Sequence, residues 1–123
     1  MAADTIIEFQ GSAIGKPKGE SEAIETLLSM SNTSHSVSTG FCLLNGTKEH
    51  NEIVTSEVHF GEISKYQAKA YWLTGEPKDK AGSYAIQGLG AMFVSRIVGS
   101  YSGVVGLPLF ECRQALIQFG VEV

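Results

Sequence analysis

The sequence predicts an α/β fold: a single domain in which helices flank a mixed, twisted β-sheet. Two observations support this class. Segments that alternate apolar and polar residues are interleaved with segments whose apolar residues recur every three or four positions. The chain has 123 residues, 43% hydrophobic and 18% charged, which suits one hydrophobic core. No linker-like composition interrupts it, so residues 1–123 are predicted to form one domain.

The first elements are a strand, a loop and a helix. Residues 4–9 alternate and contain β-branched side chains, so they are predicted as a strand that ends at Gly11-Ser12. Residues 13–19 contain glycine and proline, which is typical of a loop. From residue 20 to residue 30 the apolar side chains fall on one face of a predicted helix.

A hairpin and a second helix follow. Residues 37–43 and 54–60 both alternate with period two. Asn45-Gly46 between them is predicted as the turn, because both residue types tolerate positive φ. Ser64-Lys65-Tyr66-Gln67 is a capping-box pattern, which predicts a helix that ends near Leu73.

The last third of the chain is predicted to contain a loop, a strand and a helix. Residues 82–90 are the loop, and residues 92–98 are rich in β-branched and aromatic side chains, which favours a strand. Pro108 suits the first turn of the final helix, and Gly120 is its predicted stop. One antiparallel hairpin among interleaved strands and helices is the basis for predicting a mixed sheet.

Composition argues against several classes of function. The net charge is −4 and the lysines and arginines are scattered, so no nucleic-acid partner is predicted. No segment has the length of a membrane span and residues 1–30 lack a signal-peptide pattern, so a cytoplasmic location without membrane contact is predicted. Cys42 and Cys112 are predicted as reduced thiols of the core.

Two weaker motifs are set aside. Gly88-Leu89-Gly90 resembles the start of a dinucleotide fingerprint, but that motif leads into a helix and this one leads into a predicted strand. His35, His50 and His59 lack the spacing of a zinc site, so they are predicted as solvated or strand-facing histidines.

The most distinctive segment runs from Asp79 to Ala91 with the sequence DKAGSYAIQGLGA. Residues 3–7 add the sequence ADTII, and residues 15–17 add GKP. Together these motifs resemble the signature of the Maf family of nucleoside triphosphate pyrophosphatases, over about residues 3–119. The resemblance implies a Maf/ITPase-like fold, a nucleoside triphosphate as the bound partner, and a homodimer.

The resemblance also implies which residues act on the phosphates. Asp4 corresponds to the family's proposed general base, and Lys16 and Lys80 to cations beside the phosphates. Cleavage of the α–β anhydride needs an activated water and a divalent metal ion such as Mg²⁺ or Mn²⁺. A single carboxylate serves either as base or as metal ligand, and the sequence leaves both roles open for Asp4. From composition alone Asp4 is a solvated strand end and Lys16 an exposed loop lysine, while Asp79 is a partner of Lys80, a metal ligand or a solvated turn carboxylate.

The resemblance also implies two residues that contact the base of the nucleotide. Gln87 lies between Ile86 and Gly88, so its amide is predicted not to be a free surface group. An amide offers a donor and an acceptor together, which suits the edge of a base. The resemblance assigns substrate choice to Gln87 and Thr5, in the combination of the dTTP and UTP subgroup. The alternative for Gln87 is an amide that braces its loop through backbone hydrogen bonds.

In the family pattern, a strand and a Ser/Arg-rich phosphate loop precede the Ala-Asp-Thr strand, whereas Met1 lies almost on that strand here. An N-terminally truncated domain without that strand and loop is therefore expected. The predicted activity is hydrolysis of dTTP, UTP or a related nucleotide to the monophosphate and diphosphate. The alternative is a catalytically impaired, truncated protein that binds nucleotide weakly or not at all, with marginal stability or self-association.

Overall fold

The computed structural model describes all of residues 1–123. Five strands form one sheet, and their bounds are β1 Ala2–Phe9, β2 Ser12–Ile14, β3 Ser34–Asn45, β4 Lys48–Phe60 and β5 Val94–Val98. The four α-helices are α1 Glu20–Met30, α2 Lys65–Leu73, α3 Tyr101–Val105 and α4 Leu109–Gln118. Between α2 and β5 the chain forms three short 3₁₀ turns, Glu76–Asp79, Ala81–Ser83 and Leu89–Phe93. Strands and helices interleave, which confirms the α/β class.

The sheet has the strand order β2-β1-β3-β4-β5, and every neighbouring pair is antiparallel. The prediction of a mixed sheet is therefore wrong. After β1 the chain returns through α1 to the end of the sheet where β1 stopped, so that Ser36 lies opposite Glu8. A parallel pair would have required a crossover to the opposite end of β1.

The helices cover one face of the sheet and leave the other face open. The larger core cluster joins α1 and α2 to the covered face through Leu27, Tyr71, Val37 and Val58. A smaller cluster, which includes Cys112, joins α4 to the hairpin end of that same face. Side chains of the open face are exposed, and they include Asp4, Ile6, Glu8, Ile53, Thr55 and Glu57. This division decides which residues of β1 are able to reach a site under the helices.

The long hairpin between β3 and β4 is confirmed, with its turn one residue later than predicted. Asn45 pairs with Lys48, so the two turn residues are Gly46 and Thr47. Gly46 has φ +63°, whereas Asn45 does not have positive φ. A glycine at the first turn position matches the twist of the two flanking strands. The return strand also begins earlier than predicted, at Lys48 rather than at residue 54.

The helices were predicted well, except for the shortest one. The bounds of α1 are those expected, and α2 begins at the predicted capping box, in which Ser64 and Gln67 bond reciprocally to each other's backbone N–H groups. Pro108 directly precedes α4, and the helix ends two residues before Gly120. The short elements β2 and α3 were not predicted. The strand expected over residues 92–98 begins at Val94, because the residues before it continue the 3₁₀ turn.

None of the helices combines the length and apolar character that a membrane span requires.

Both cysteines are free thiols. Cys112 is buried in the core as predicted, whereas Cys42 is only half-buried and lies outside it.

Candidate functional site

A cavity of about 250 Å³ lies between β1, β3, α3 and the segment of residues 80–87. Most of its lining residues are apolar, and the polar lining side chains are Thr5, Lys80 and Gln87. Typical pockets for drug-sized ligands measure roughly 300–1,000 Å³, so this cavity suits part of a nucleotide rather than a whole one. Three of the five predicted site residues therefore converge on one cavity, although they are up to 82 positions apart in the sequence.

Thr5 is held at the cavity by a second threonine. Its Oγ1 lies 2.8 Å from Oγ1 of Thr39 on the neighbouring strand. The Thr39 hydroxyl also donates to the backbone carbonyl of Gly103 in α3, at 2.7 Å. Thr39 is fully buried. Thr5, the predicted base-side residue of β1, is therefore connected to α3 through one buried hydroxyl.

Residues 85–90, the segment that carries Gln87, are held at both ends by two side chains, Tyr71 in α2 and Glu76 in the turn that follows α2. The Tyr71 hydroxyl accepts a hydrogen bond from the N–H of Ala85 at 2.9 Å and donates to the Glu76 carboxylate. The two carboxylate oxygens of Glu76 accept from the N–H groups of Leu89 and Gly90, each at 2.9 Å. This network replaces the regular secondary structure that the segment lacks.

The pKa shifts of Glu76 and Tyr71 favour the protonation states that these hydrogen bonds require. Burial acts to raise the pKa of Glu76, but the hydrogen bonds from Tyr71 and from two backbone N–H groups outweigh it, and the Lys80 charge adds to them. The pKa of Glu76 is therefore lowered from its ordinary value of 4.5. Burial, together with the hydrogen bond to Glu76, raises the pKa of Tyr71. Glu76 thus stays an anionic acceptor and Tyr71 a protonated donor at neutral pH.

Two glycines make this network possible. A Cβ atom at Gly88 would overlap the Glu76 carboxylate. A Cβ atom at Gly90 would lie 2.7 Å from both the Ala85 carbonyl oxygen and the Tyr71 hydroxyl. A larger residue at position 88 would displace the carboxylate, and one at position 90 would displace the Tyr71 hydroxyl, so these glycines serve close packing against Glu76 and Tyr71.

Gln87 itself is exposed at the cavity and its amide makes no hydrogen bond within the chain. The sequence predicted that this amide would not be a free surface group, and that prediction is wrong. The alternative, in which the amide braces its loop through backbone hydrogen bonds, is not supported either, because the amide has no hydrogen-bond partner. Glu76 and Tyr71 brace the segment in its place. The Gln87 amide remains available to a ligand as both donor and acceptor.

The two predicted phosphate cations lie on neighbouring loops. The N–H of Gly82 donates to the carbonyl of Gly15 at 3.2 Å, which ties the loop of Lys16 to the loop of Lys80. Both lysine side chains are exposed, and only Lys80 lines the cavity. Asp79 makes no ion pair with Lys80, since the ion pairs of this chain are between histidines and glutamates. Lys80 is therefore free to meet an anion at the mouth of the cavity.

Asp4 lies outside the cavity. Successive side chains of a strand point to opposite faces, so Asp4 projects to the open face of the sheet while Thr5 faces the helices. Asp4 is exposed, and its Oδ1 accepts from the N–H of Thr5 at 2.9 Å. No group of three or more histidine, cysteine, aspartate or glutamate side chains is placed to hold a metal ion. The structure thus brings Thr5, Gln87 and Lys80 together at the cavity, whereas Asp4 and Lys16 lie outside it.

An aromatic cluster in the core reaches the cavity through Tyr84. Tyr84 lines the cavity, and its hydroxyl lies 2.6 Å from Nε2 of His35. His35 is buried against Phe60 and Tyr84. Burial, with a smaller contribution from His59, lowers the pKa of His35 to about 4. His35 is thus a neutral core residue, on the side of β3 that faces the helices.

Comparison with known proteins identifies the family to which this chain belongs. Residues 1–119 match the family described as Maf-like protein, and the chain belongs to that family. It is 46% identical to the dTTP/UTP pyrophosphatase of Alkalilimnicola ehrlichii over 122 residues, which are 99% of this chain and 60% of that protein. It is 46% identical over 120 residues to the dTTP/UTP pyrophosphatase of Colwellia psychrerythraea, covering 98% of this chain and 57% of that protein.

A third relative, the dTTP/UTP pyrophosphatase of Vibrio vulnificus, is 44% identical over 119 residues, which are 97% of this chain and 64% of that protein. The chain therefore spans about three fifths of the length of the curated relatives it matches.

Sequence reasoning missed Glu76, Tyr71 and Thr39. One signal was available for Thr39, because it occupies an inward-facing position in a strand whose other inward residues are Val37, Phe41 and Leu43. A hydroxyl at such a position needs a buried partner. No comparable pattern marks Glu76, whose partners are Tyr71 in α2 and two backbone N–H groups in an irregular segment 13 and 14 positions away.

Proposed function

We propose that this protein is a nucleoside triphosphate pyrophosphatase that acts on dTTP, UTP or a related nucleotide. Water attacks the α-phosphorus, the bond from that phosphorus to the bridging oxygen breaks, and the products are the monophosphate and diphosphate. The observation that supports this most is the convergence of Thr5, Gln87 and Lys80 on one small cavity. Relatives that carry the name dTTP/UTP pyrophosphatase match nearly the whole chain.

The cavity suits the base and sugar end of the substrate. Its apolar lining, including Ile7 and Val104, removes the faces of a base from water. Thr5 and Gln87 offer hydrogen-bonding groups to the base edge. A site that hydrogen-bonds a base edge discriminates against bases that leave its polar groups unpaired.

The triphosphate extends from the mouth of the cavity, where Lys80 lies and where the backbone contact between Gly82 and Gly15 brings the Lys16 loop alongside. Lys16 and Lys80 contribute positive charge to the phosphates. Asp4 acts on the attacking water as general base or holds a divalent ion. Asp4 directly precedes Thr5 in β1 but projects to the opposite face of the sheet, so the triphosphate would have to pass the edge of β1 that β2 leaves unpaired in order to reach it.

A divalent metal ion, Mg²⁺ or Mn²⁺, belongs to this proposal as a bound cofactor. Mg²⁺ in proteins is commonly held by one or two carboxylates together with substrate phosphates, rather than by an all-protein cage. A single exposed carboxylate such as Asp4, in a chain without a cluster of ligands, fits that mode of binding. When bound, the ion would neutralise charge on the phosphate oxygens.

The location, the oligomeric state and the absence of a nucleic-acid partner are proposed from the sequence. The protein acts in the cytoplasm as a homodimer and has no nucleic-acid partner, and the last point is supported by the net charge of −4. No observation favours the alternative of a catalytically impaired protein that binds nucleotide weakly.

The reaction is tested by incubating the protein with Mg²⁺ or Mn²⁺ and each of dTTP, UTP, ATP and GTP, with separate detection of diphosphate and inorganic phosphate. We expect diphosphate and the nucleoside monophosphate from dTTP and UTP. Lys80→Met should weaken the reaction, while Lys18→Met, a matched change of an exposed lysine outside the cavity, should not. Release of inorganic phosphate alone would contradict the proposal.

A further inference from the structure

The hydroxyls of Thr5 and Thr39 and the carbonyl of Gly103 form a line from the cavity into the core. The Thr5 and Thr39 oxygens are 2.8 Å apart, and the Thr39 oxygen is 2.7 Å from the Gly103 oxygen. Thr39 has 0% exposure, so water takes no part at its hydroxyl. Each of these two short contacts therefore needs a proton between its oxygens.

The carbonyl of Gly103 determines which hydroxyl donates in each of these two hydrogen bonds. A carbonyl oxygen accepts hydrogen bonds and never donates, and a hydroxyl has a single proton. The Thr39 proton must therefore lie on the contact with Gly103. The contact between the two hydroxyls can then contain only the proton of Thr5. As a result, Thr5 has no proton left for a ligand, and its oxygen faces the cavity as an acceptor only.

An acceptor at this position distinguishes between pyrimidine bases. Uracil and thymine carry an N3–H donor between two carbonyl groups, whereas the N3 of cytosine is a bare acceptor. An N3–H group would donate to the Thr5 oxygen, while the exposed amide of Gln87 donates to a neighbouring carbonyl. With cytosine, the lone pairs of Thr5 and N3 would face each other, and one buried acceptor would be left without a partner.

We propose that Thr39 is a specificity-determining residue: by accepting the Thr5 proton, it makes Thr5 an acceptor for the N3–H of uracil or thymine and thereby disfavours cytosine. This inference rests on the proposed function, because it assumes that the cavity holds the base of a nucleotide. Thr39 acts through Thr5 and contacts no ligand itself, since it is fully buried.

The test measures the affinity ratio of UTP over CTP, by competition binding to the 123-residue protein, in the parent and three variants. Thr39→Val keeps the shape of the side chain and removes the acceptor, so that the Thr5 proton becomes available to cytosine N3. Thr39→Ser keeps the hydroxyl. Thr55→Val is the matched control, because Thr55 on β4 shares a 2.9 Å contact between hydroxyls with Ser38 on β3, on the open face of the sheet.

We expect the parent to prefer UTP over CTP by about tenfold or more, and Thr39→Val to lower that ratio by about tenfold. Thr39→Ser and Thr55→Val should keep the parent ratio. A second measurement needs no variant and applies even if Thr39→Val does not fold. N3-methyl-UTP lacks the N3–H donor, and the parent should bind it no better than CTP.

The outcomes separate the two proposals. Failure of the parent to bind or cleave UTP would reject the proposed function itself. A preference for UTP that persists in folded Thr39→Val, equal affinity of the parent for UTP and CTP, or equal affinity for UTP and N3-methyl-UTP would reject the role of Thr39 alone.

Discussion

The Tyr71 hydroxyl donates to the Glu76 carboxylate, and together these two residues hold both flanks of the segment that carries Gln87. Tyr71 accepts from the N–H of Ala85 before Gln87, and Glu76 accepts from two N–H groups after it. The segment has no strand partner to give it a regular conformation. The position of the Gln87 amide therefore depends on an ionised carboxylate that contacts three donors at once.

Glu76→Gln should destabilise the protein by about 1–3 kcal/mol, because an amide has one acceptor oxygen where the carboxylate has two and one N–H group loses its partner. The measurement is urea unfolding of parent and variant at neutral pH. Glu62→Gln, the same change at an exposed glutamate without partners, is the control and should be neutral. Equal destabilisation by both changes would contradict the role of Glu76.

The contribution of Glu76 should also depend on pH. Its folded-state pKa lies below the ordinary value of 4.5, so its stabilisation is fully present above 4.5 and is lost as the pH falls through the folded-state pKa. The stability difference between the parent and Glu76→Gln should therefore shrink as the pH is lowered from 4.5. A difference that stays constant over that range would show that the charge of Glu76 is not what stabilises the segment.

His35 should make the whole domain sensitive to mild acid. Its folded-state pKa of about 4 is below the ordinary value of 6.5, so the unfolded chain takes up a proton that the folded chain excludes. Stability should therefore fall by up to about 3 kcal/mol as the pH drops from 6.5 towards 4. His35→Gln should flatten this pH dependence of the urea midpoint, and a midpoint that falls as steeply in the variant as in the parent would contradict the role of His35.

Asp4→Asn should lower the turnover of dTTP by about two to four orders of magnitude if Asp4 is the general base, because the change keeps the shape and removes the charge. Glu8→Gln is the matched control, since Glu8 is exposed on the same face of the same strand. We expect little effect from that control. Turnover of Asp4→Asn within a few-fold of the parent would remove Asp4 from the mechanism.

Gln87→Ala should flatten the ranking of nucleotides, in which dTTP and UTP are expected above ATP and GTP. The free amide of Gln87 lines the cavity and offers both a donor and an acceptor, so its loss removes the contact that distinguishes base edges. Gln114→Ala, an exposed glutamine of α4, should keep the ranking. A preference for purine nucleotides in the parent would contradict the assignment to pyrimidines.

Much of the secondary structure was predictable because its causes are local. The capping box of α2 involves residues three positions apart, and the apolar face of α1 recurs within three or four positions. The motifs at Asp4, Lys16, Lys80 and Gln87 were likewise visible in the sequence and correspond to a family whose match covers residues 1–119. The face of β1 to which Asp4 points also follows from strand alternation, once β1 is recognised.

The remaining features arise from contacts between distant residues, which no local pattern encodes. The antiparallel direction of β3 against β1 depends on where α1 returns the chain. The exposure of Gln87 depends on Glu76 and Tyr71 satisfying the backbone around it, and the acceptor character of Thr5 depends on a carbonyl 64 positions from Thr39. A hydroxyl has the same chemistry wherever it occurs in a sequence, and its role as donor or acceptor is set by the partner that folding places beside it.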